Sequence, residues 1–182
     1  MFKQLKILDE KNKILRQISK DVVFPLSKDD KEDIEKIIKQ LTYSQIPKMS
    51  EKYNLRPGMG LAFPQIGKLK RIIIIVHEYE EGKFNEYVVI NPKIISNSEE
   101  IIALEEGEGC LSVNREVEGH VPRFARVTIS GFDVEGNKIK IRAREELSCA
   151  FQHEIDHLNG ILFFDKIDKK KPFYNDNEIR LI

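Results

Sequence analysis

Two histidines four residues apart, with a glutamate directly after the first, constrain the fold of this chain more than any other feature. His153, Glu154 and His157 follow a stretch from Glu145 onward that contains neither glycine nor proline, and Asn159-Gly160 comes just after them. This pattern predicts an α-helix that ends at Asn159-Gly160. Positions i and i+4 share one helix face, so both imidazoles can bind one metal ion. Glu154 would lie beside that ion and could exchange protons with a water molecule bound to it.

If the helix binds metal, rather than carrying two histidines by chance, it needs a further ligand, because such catalytic centres usually have three. The other candidates are two cysteines and two histidines. Cys149 lies one turn before His153, but at about 1.5 Å per residue it would be about 12 Å from His157 along the helix axis. We therefore expect Cys149 to be a small buried apolar residue. His77 and His120 have no acidic or metal-ligand neighbour at useful spacing, so we expect surface or loop positions for both.

Cys110 stands in different surroundings, within Glu105-Glu106-Gly107-Glu108-Gly109-Cys110-Leu111-Ser112. Glycines let a backbone approach a metal or a substrate closely, and a thiolate is a strong ligand for zinc and for iron. The residues after it, Leu111 to Val113, have the composition of a strand. A hairpin turn with a chance cysteine is the alternative, and this segment taken alone favours that alternative.

A second glycine-rich segment, Gly58-Met59-Gly60-Leu61-Ala62-Phe63-Pro64-Gln65-Ile66-Gly67, is mostly apolar, and Gln65 is its only polar side chain. It is not a phosphate loop, because it lacks the Gly-Lys-Ser/Thr ending and is followed by an isoleucine-rich strand pattern, not by a helix. If Gln65 is buried, its amide needs a hydrogen-bond partner, and its NH₂ group could donate to a developing oxyanion. A tight loop between a helix and a strand is the alternative.

These three segments, in this order, resemble the peptide deformylases. The family carries G-x-G-L-A-x-x-Q, E-G-C-L-S and Q-H-E-x-D-H, which correspond to residues 58–65, 108–112 and 152–157. The similarity runs from about Gly58 to Asp165, and the long stretch between Ser112 and Val121 resembles the type 2 branch. Phe63 departs from the second alanine that is usual in the family. Its ring either narrows the approach to the metal or points into the core, and both remain open at this point.

The resemblance implies an enzyme that removes the N-formyl group from the initiator methionine of new polypeptides. Cys110, His153 and His157 would hold one divalent metal ion, with iron (Fe²⁺) as the working metal and Ni²⁺, Co²⁺ or zinc (Zn²⁺) able to replace it. Glu154 would transfer protons between the attacking water and the departing amine. The Gln65 amide and the backbone N–H of Leu111 would stabilise the oxyanion.

The resemblance also implies how the substrate and the ligands are supported. Met59, Gly60 and Gly109 would offer backbone groups to an extended peptide, as an added strand would. A second group of residues, Arg123, Asp156 and Glu108, would orient the ligand histidines, although an ordinary ion-pair network that only braces the fold is the alternative. The expected partners are nascent formyl-Met polypeptides at the ribosome exit.

Composition sets the broad class of the protein. The length of 182 residues predicts a single domain spanning residues 1–182. Thirty basic and thirty acidic residues cancel, so we expect no nucleic-acid partner. No apolar run approaches the length of a membrane span or a signal peptide, and two cysteines form no disulfide framework. A cytoplasmic enzyme is therefore expected.

The pattern of elements predicts an α+β fold with mostly antiparallel sheets packed around a central metal-binding helix. Ser27 is predicted to cap a helix with Ile34, Ile37, Ile38 and Leu41 on one stripe, and Pro47 to break or kink it. Strands are expected at residues 71–77, 86–91 and 93–104. Residues 125–133 and 137–143 are expected to form a hairpin with one face in water.

Two other classes of function use the same residues. A zinc endopeptidase would need the same histidines and glutamate, but a cysteine ligand and a formyl-sized cavity argue against it. A non-catalytic module with a closed structural metal site would need four protein ligands, and only Cys149, His77 or His120 remain to supply the fourth.

Overall fold

Two β-sheets and three α-helices are present in the residues that the computed structural model describes, 2–175 and 177–182. The helices are α1 at Lys28–Gln45, α2 at Pro47–Tyr53 and α3 at Glu145–Leu158. The strands are β1 at Gly60–Ala62, β2 at Ile72–Glu80, β3 at Lys83–Asn97, β4 at Ile101–Ala103, β5 at Arg123–Phe124, β6 at Arg126–Phe132, β7 at Lys138–Arg144 and β8 at Arg180–Leu181.

The larger sheet has five strands in the order β1-β2-β3-β6-β7, and every neighbouring pair in it is antiparallel. The smaller sheet has the order β5-β4-β8, in which only β4 and β8 run parallel. The predicted α+β class with mostly antiparallel sheets is therefore confirmed. Because β1 is at an edge of the larger sheet, it pairs with a strand of that sheet on one side of its backbone, the side facing β2.

The first five residues of β2, Ile72 to Val76, are buried on both faces of the sheet, which explains the run of four isoleucines and a valine. Alternate side chains of a strand point to opposite faces. Ile72, Ile74 and Val76 pack against α1, whereas Ile73 and Ile75 pack against α3. The central helix α3 therefore has one side against the sheet, and its other side is available for the site.

Helix α1 begins and ends where the sequence predicts. The Ser27 side chain accepts a hydrogen bond from the Asp30 N–H, and Ile34, Ile37 and Leu41 are buried against the sheet. The helix ends at Gln45, and a separate helix starts at Pro47. Proline is well placed at a first helical turn because it lacks the N–H that a helix interior would use.

Three strand predictions were wrong. Residues 86–91 and 93 onward belong to one strand, β3, in which a register shift and the positive φ of Asn91 (52°) accommodate Pro92. That strand ends at Asn97, and the chain then turns through Ser98 into β4, which belongs to the other sheet. The segment after Cys110 is also a turn and not a strand, since the Val113 N–H donates to the Cys110 carbonyl at 3.0 Å.

The predicted hairpin is present as β6 and β7, with its exposed face formed largely by lysine and arginine on β7. Among the described residues, no helix combines the length and the apolar character needed to cross a membrane.

Candidate metal centre

Three predicted ligand residues meet where α3 faces the turn that follows β4. The ligand atoms of Cys110, His153 and His157 all lie within 4.8 Å of one another, and Cys110 Sγ is 3.3 Å from His157 Nε2. Cys110 and His157 are buried, and His153 is nearly so. One thiol and two imidazoles match the donor set of an iron or zinc site and leave a coordination position for water or substrate.

Cys149 is outside this group, as its helical position predicts. Its side chain is buried in the cluster with Ile102 and Ala125. Burial raises the pKa of its thiol to about 12, so the group stays protonated near neutral pH. A protonated thiol is a poor metal ligand.

A buried ion-pair network orients His153. The ring Nδ1 lies 2.8 Å from Glu108 Oε2, and Arg123 donates to both oxygens of Glu108, at 2.7 and 2.9 Å. Arg123 also donates to Asp156. Burial by itself would raise the pKa of Glu108, but the hydrogen bonds from Arg123 and His153 lower it to about 2. The ionised carboxylate of Glu108 therefore accepts a hydrogen bond from the Nδ1–H of His153. The Nε2 atom of His153 then stays free to bind a metal ion.

Glu154 lies on α3 directly after the predicted ligand His153, at the wall of the cavity described below. Its side chain is buried, its Oε2 has no hydrogen-bond partner among the described residues, and burial raises the pKa of the carboxyl to about 7. Its carboxylate fills the space above Gly60, where a β-carbon would collide with it. The sequence indicated Gly60 only as a backbone contact for substrate, so this steric requirement was missed.

Two amide donors flank Cys110. Gln65 is buried in a 3₁₀ helix at Phe63–Ile66, where its Oε1 accepts the Ala62 N–H at 2.8 Å. Its Nε2 donates to Ser112 Oγ at 3.1 Å and lies 3.7 Å from Cys110 Sγ. In the described part of the chain, the backbone N–H of Leu111 has no hydrogen-bond acceptor. The Leu111 N–H can therefore donate to an atom bound beside Cys110, and the Gln65 NH₂ group, which already contacts Cys110 Sγ, lies next to the same place.

A cavity of about 270 Å³ opens beside the ligands, between the edge of β1 and the turn at Gly109. Its apolar lining includes Leu104, Cys149 and Ala150. The Met59 carbonyl accepts a hydrogen bond from the N–H of Val76 in β2 at 2.8 Å. Because neighbouring residues of an antiparallel strand alternate in direction, the backbone groups of Gly60 face the open edge.

Three further residues lie in surroundings that the sequence did not specify. His77 lies in β2, half-buried, and not in a loop. His120 does lie in a loop but is buried, and its Nδ1 accepts the Tyr174 N–H at 3.0 Å. Arg56 was not singled out at all, yet it lines the cavity and donates to the Cys110 carbonyl. Its only sequence signal is an arginine two residues before a glycine-rich segment, which is not specific.

One cysteine and two histidines that could hold a metal ion, with a buried carboxylate beside them, are the residue set of a metal-dependent hydrolase. The particular family follows from comparison with known proteins. Residues 4–173 match the family model described as polypeptide deformylase, and the chain belongs to that family. The predicted activity, hydrolysis of the N-formyl group of formylmethionine polypeptides, is thereby confirmed.

Relatives support this assignment over most of the chain. Peptide deformylase 2 of Bacillus anthracis is 45% identical over 167 residues, which cover 92% of this chain and 91% of the relative. Peptide deformylase of Shouchella clausii is 48% identical over 162 residues, 89% and 88% of the two chains. The crystal structure of the class I type b peptide deformylase of Acinetobacter baumannii with bound Met-Ala-Ser superposes with a TM-score of 0.72 at 28% identity, covering 92% of this chain and 100% of that one. The resemblance to the type 2 branch is also supported.

Proposed function

We propose that Cys110, His153 and His157 hold one divalent ion, Fe²⁺ in the cell, and that this centre deformylates nascent formyl-Met polypeptides. The observation that carries the proposal is the convergence of the three ligand atoms within 4.8 Å. The residues fit such an ion, because thiolate and imidazole suit iron, nickel, cobalt and zinc, and because Glu108 already orients one imidazole. When bound, the ion would lower the pKa of a water molecule and polarise the formyl oxygen.

In this proposal, Glu154 moves the protons. Its buried carboxylate lies beside the ligands, and one of its oxygens has no partner among the described residues, so it is free to accept a proton from water. The same group would return that proton to the peptide nitrogen as the bond between the formyl carbon and that nitrogen breaks. The products are formate and a free amino terminus.

The negative charge that develops on the formyl oxygen would be met by two amide donors of the chain. The Gln65 side chain is held by Ala62 and Ser112, so its NH₂ group is fixed before substrate arrives. The Leu111 N–H has no acceptor among the described residues. Donors that are already oriented stabilise a developing charge without the cost of reorganisation.

The substrate would bind as an additional strand along the open edge of β1. Gly60 presents its backbone groups there, and Gly109 borders the opposite side of the cavity with little side-chain obstruction. The methionine side chain would enter the apolar cavity, which Met59 also lines. The Acinetobacter baumannii relative was crystallised with Met-Ala-Ser bound, which supports a peptide that begins with methionine as the ligand. Main-chain pairing would tolerate many residues after the methionine.

We also propose that the chain works as a single domain in the cytoplasm, on polypeptides emerging from the ribosome. The site is assembled from β1, the turn after β4 and helix α3, so it requires the whole sheet and helix arrangement.

The deciding experiment is turnover of formyl-Met-Ala-Ser by protein purified without oxygen. We expect release of formate, loss of activity after chelation, and recovery when Fe²⁺, Ni²⁺, Co²⁺ or Zn²⁺ is added back. Casein in a parallel reaction should remain intact. Digestion of casein without release of formate would instead support an endopeptidase and overturn the proposal.

A further inference from the structure

Arg56 links the two sides of the active-site cleft. It lies between α2 and β1, and its guanidinium reaches across to the turn at Cys110. Nη2 donates to the Cys110 carbonyl, while Nη1 donates to the Val113 carbonyl at 3.1 Å and to Asn114 Oδ1 at 2.9 Å. Three acceptors therefore hold the guanidinium in one orientation although the residue is exposed.

The carbonyl that Arg56 contacts belongs to the same peptide group as the N–H of Leu111. A peptide group is planar and conjugated, so a hydrogen bond accepted by its oxygen withdraws electrons from its nitrogen. Hydrogen bonds in such chains strengthen one another, and a charged donor acts more strongly than a neutral one. The Val113 N–H donates to the same oxygen at 3.0 Å, which further restrains the peptide plane.

We propose that Arg56 is a positioning residue for the oxyanion donor: it orients and polarises the Cys110–Leu111 peptide, so that the Leu111 N–H donates more strongly to the formyl oxygen. Arg56 acts through the peptide and not on the reacting atoms. This inference rests on the proposed role of the Leu111 N–H in deformylation.

The size of the effect can be bounded. Loss of a whole oxyanion donor lowers kcat by about 10²–10³-fold. Neighbouring hydrogen bonds strengthen a donor by about 10–30%. Removal of Arg56 should therefore lower kcat about 2- to 8-fold, with KM changed by less than about 2-fold, since the donor acts mainly in the transition state.

The test compares Arg56→Met, Arg56→Lys and Arg115→Met in the zinc-loaded protein. Arg115 is a matched control, because it is also an exposed arginine near the cleft but pairs with Glu10 and not with the Cys110 carbonyl. Steady-state kinetics with formyl-Met-Ala-Ser and the amide chemical shift of Leu111 in isotope-labelled protein are measured at low and high salt.

For Arg56→Met we expect the fall in kcat, an upfield shift of the Leu111 amide proton and unchanged zinc content. Arg56→Lys should recover part of both changes, and Arg115→Met should show neither. The kcat loss should persist at high salt, because a direct hydrogen bond is screened far less than a distant charge.

Three outcomes would overturn the proposal: an unchanged Leu111 amide in Arg56→Met, a loss confined to KM, or a kcat loss that disappears at high salt. Failure of the proposed function is distinguishable, because it would appear as absence of formate release by the wild-type enzyme. The amide shift is measured without turnover and does not depend on that result.

Discussion

The Glu154 carboxylate lies so close to Gly60 that a β-carbon at position 60 would overlap it. The two residues are 94 positions apart in the chain, and one lies on the edge strand β1 whereas the other lies on α3, which carries the two predicted ligand histidines. Strand β1, which we propose pairs with the substrate, therefore also limits where the Glu154 carboxylate, the proposed proton-transfer group, can lie.

The first prediction follows from this contact. Gly60→Ala should push the Glu154 carboxylate from its position and lower kcat by at least about 10-fold, because misplaced catalytic groups lose most of their effect. Metal content should not change. The matched control is Gly82→Ala in the β2–β3 turn, which has open space but a positive φ of 73°, so it should lower stability and leave activity intact. Full activity in Gly60→Ala would show that the carboxylate is free to relocate.

The second prediction separates metal binding from proton transfer. Glu154→Gln keeps the shape of the side chain but cannot carry protons, so deformylation should fall by at least about 10²-fold. Elemental analysis should find the same metal content as in the wild-type protein. A correctly loaded Glu154→Gln enzyme with wild-type activity would remove Glu154 from the mechanism.

The third prediction concerns the two thiols. Cys110→Ala should lose most of its metal affinity, because it removes one of three converging ligands. Cys149→Ala should keep its metal and its kcat, with a modest loss of stability from the buried site. Metal analysis of both variants is the measurement, and the reverse result would place the site along the helix.

The fourth prediction resolves the open question about Phe63. Its ring is fully buried in the core beside Ile34, Ile37 and Leu61 and does not line the cavity. Phe63→Ala should therefore lower the free energy of unfolding by about 3–5 kcal/mol through loss of packing. The ratio of activity on formyl-Met over acetyl-Met peptides should stay as it is in the wild type. A lowered formyl-Met to acetyl-Met ratio with an unchanged Tm would instead show that the Phe63 ring restricts access to the metal site.

The fifth prediction concerns stability as a function of pH. Asp30 is buried at the start of α1; burial opposes its ionisation, but hydrogen bonds from Lys70 and Ser27 outweigh burial and keep its pKa below the ordinary value. A carboxyl whose pKa is lower in the folded state stabilises the fold above its unfolded pKa, and that contribution is lost as the pH falls through the folded pKa.

Asp30→Asn should therefore be less stable than the wild type at pH 7, and the difference should shrink below about pH 4. Chemical denaturation of both proteins across this range is the measurement. Glu32→Gln, on the exposed face of the same helix, should show little difference at either pH. If the difference in the free energy of unfolding between the wild type and Asp30→Asn stayed constant down to pH 2, the charge of Asp30 would not contribute to stability.

Most of the correct structural predictions came from the spacing of residues that are only a few positions apart in the chain. The i, i+4 pair at His153 and His157 depends only on helix geometry, and a helix is specified by residues a few positions apart. The same holds for the Ser27 cap, the break at Pro47 and the β6–β7 hairpin. Strand ends were less predictable, because nothing local shows that Asn91 takes a positive φ or that β4 leaves the larger sheet.

The sequence by itself determined the helix with its two histidines, the α+β class and, through three ordered segments, the family. Only the tertiary structure decided that Cys110 and not Cys149 meets those histidines, that Phe63 faces the core, that Gly60 makes room for Glu154, and that Arg56 contacts the Cys110 carbonyl. Each of these relationships joins residues on different elements. Their geometry depends on strand register and on the packing of α3 against the sheet, which short-range periodicity does not encode.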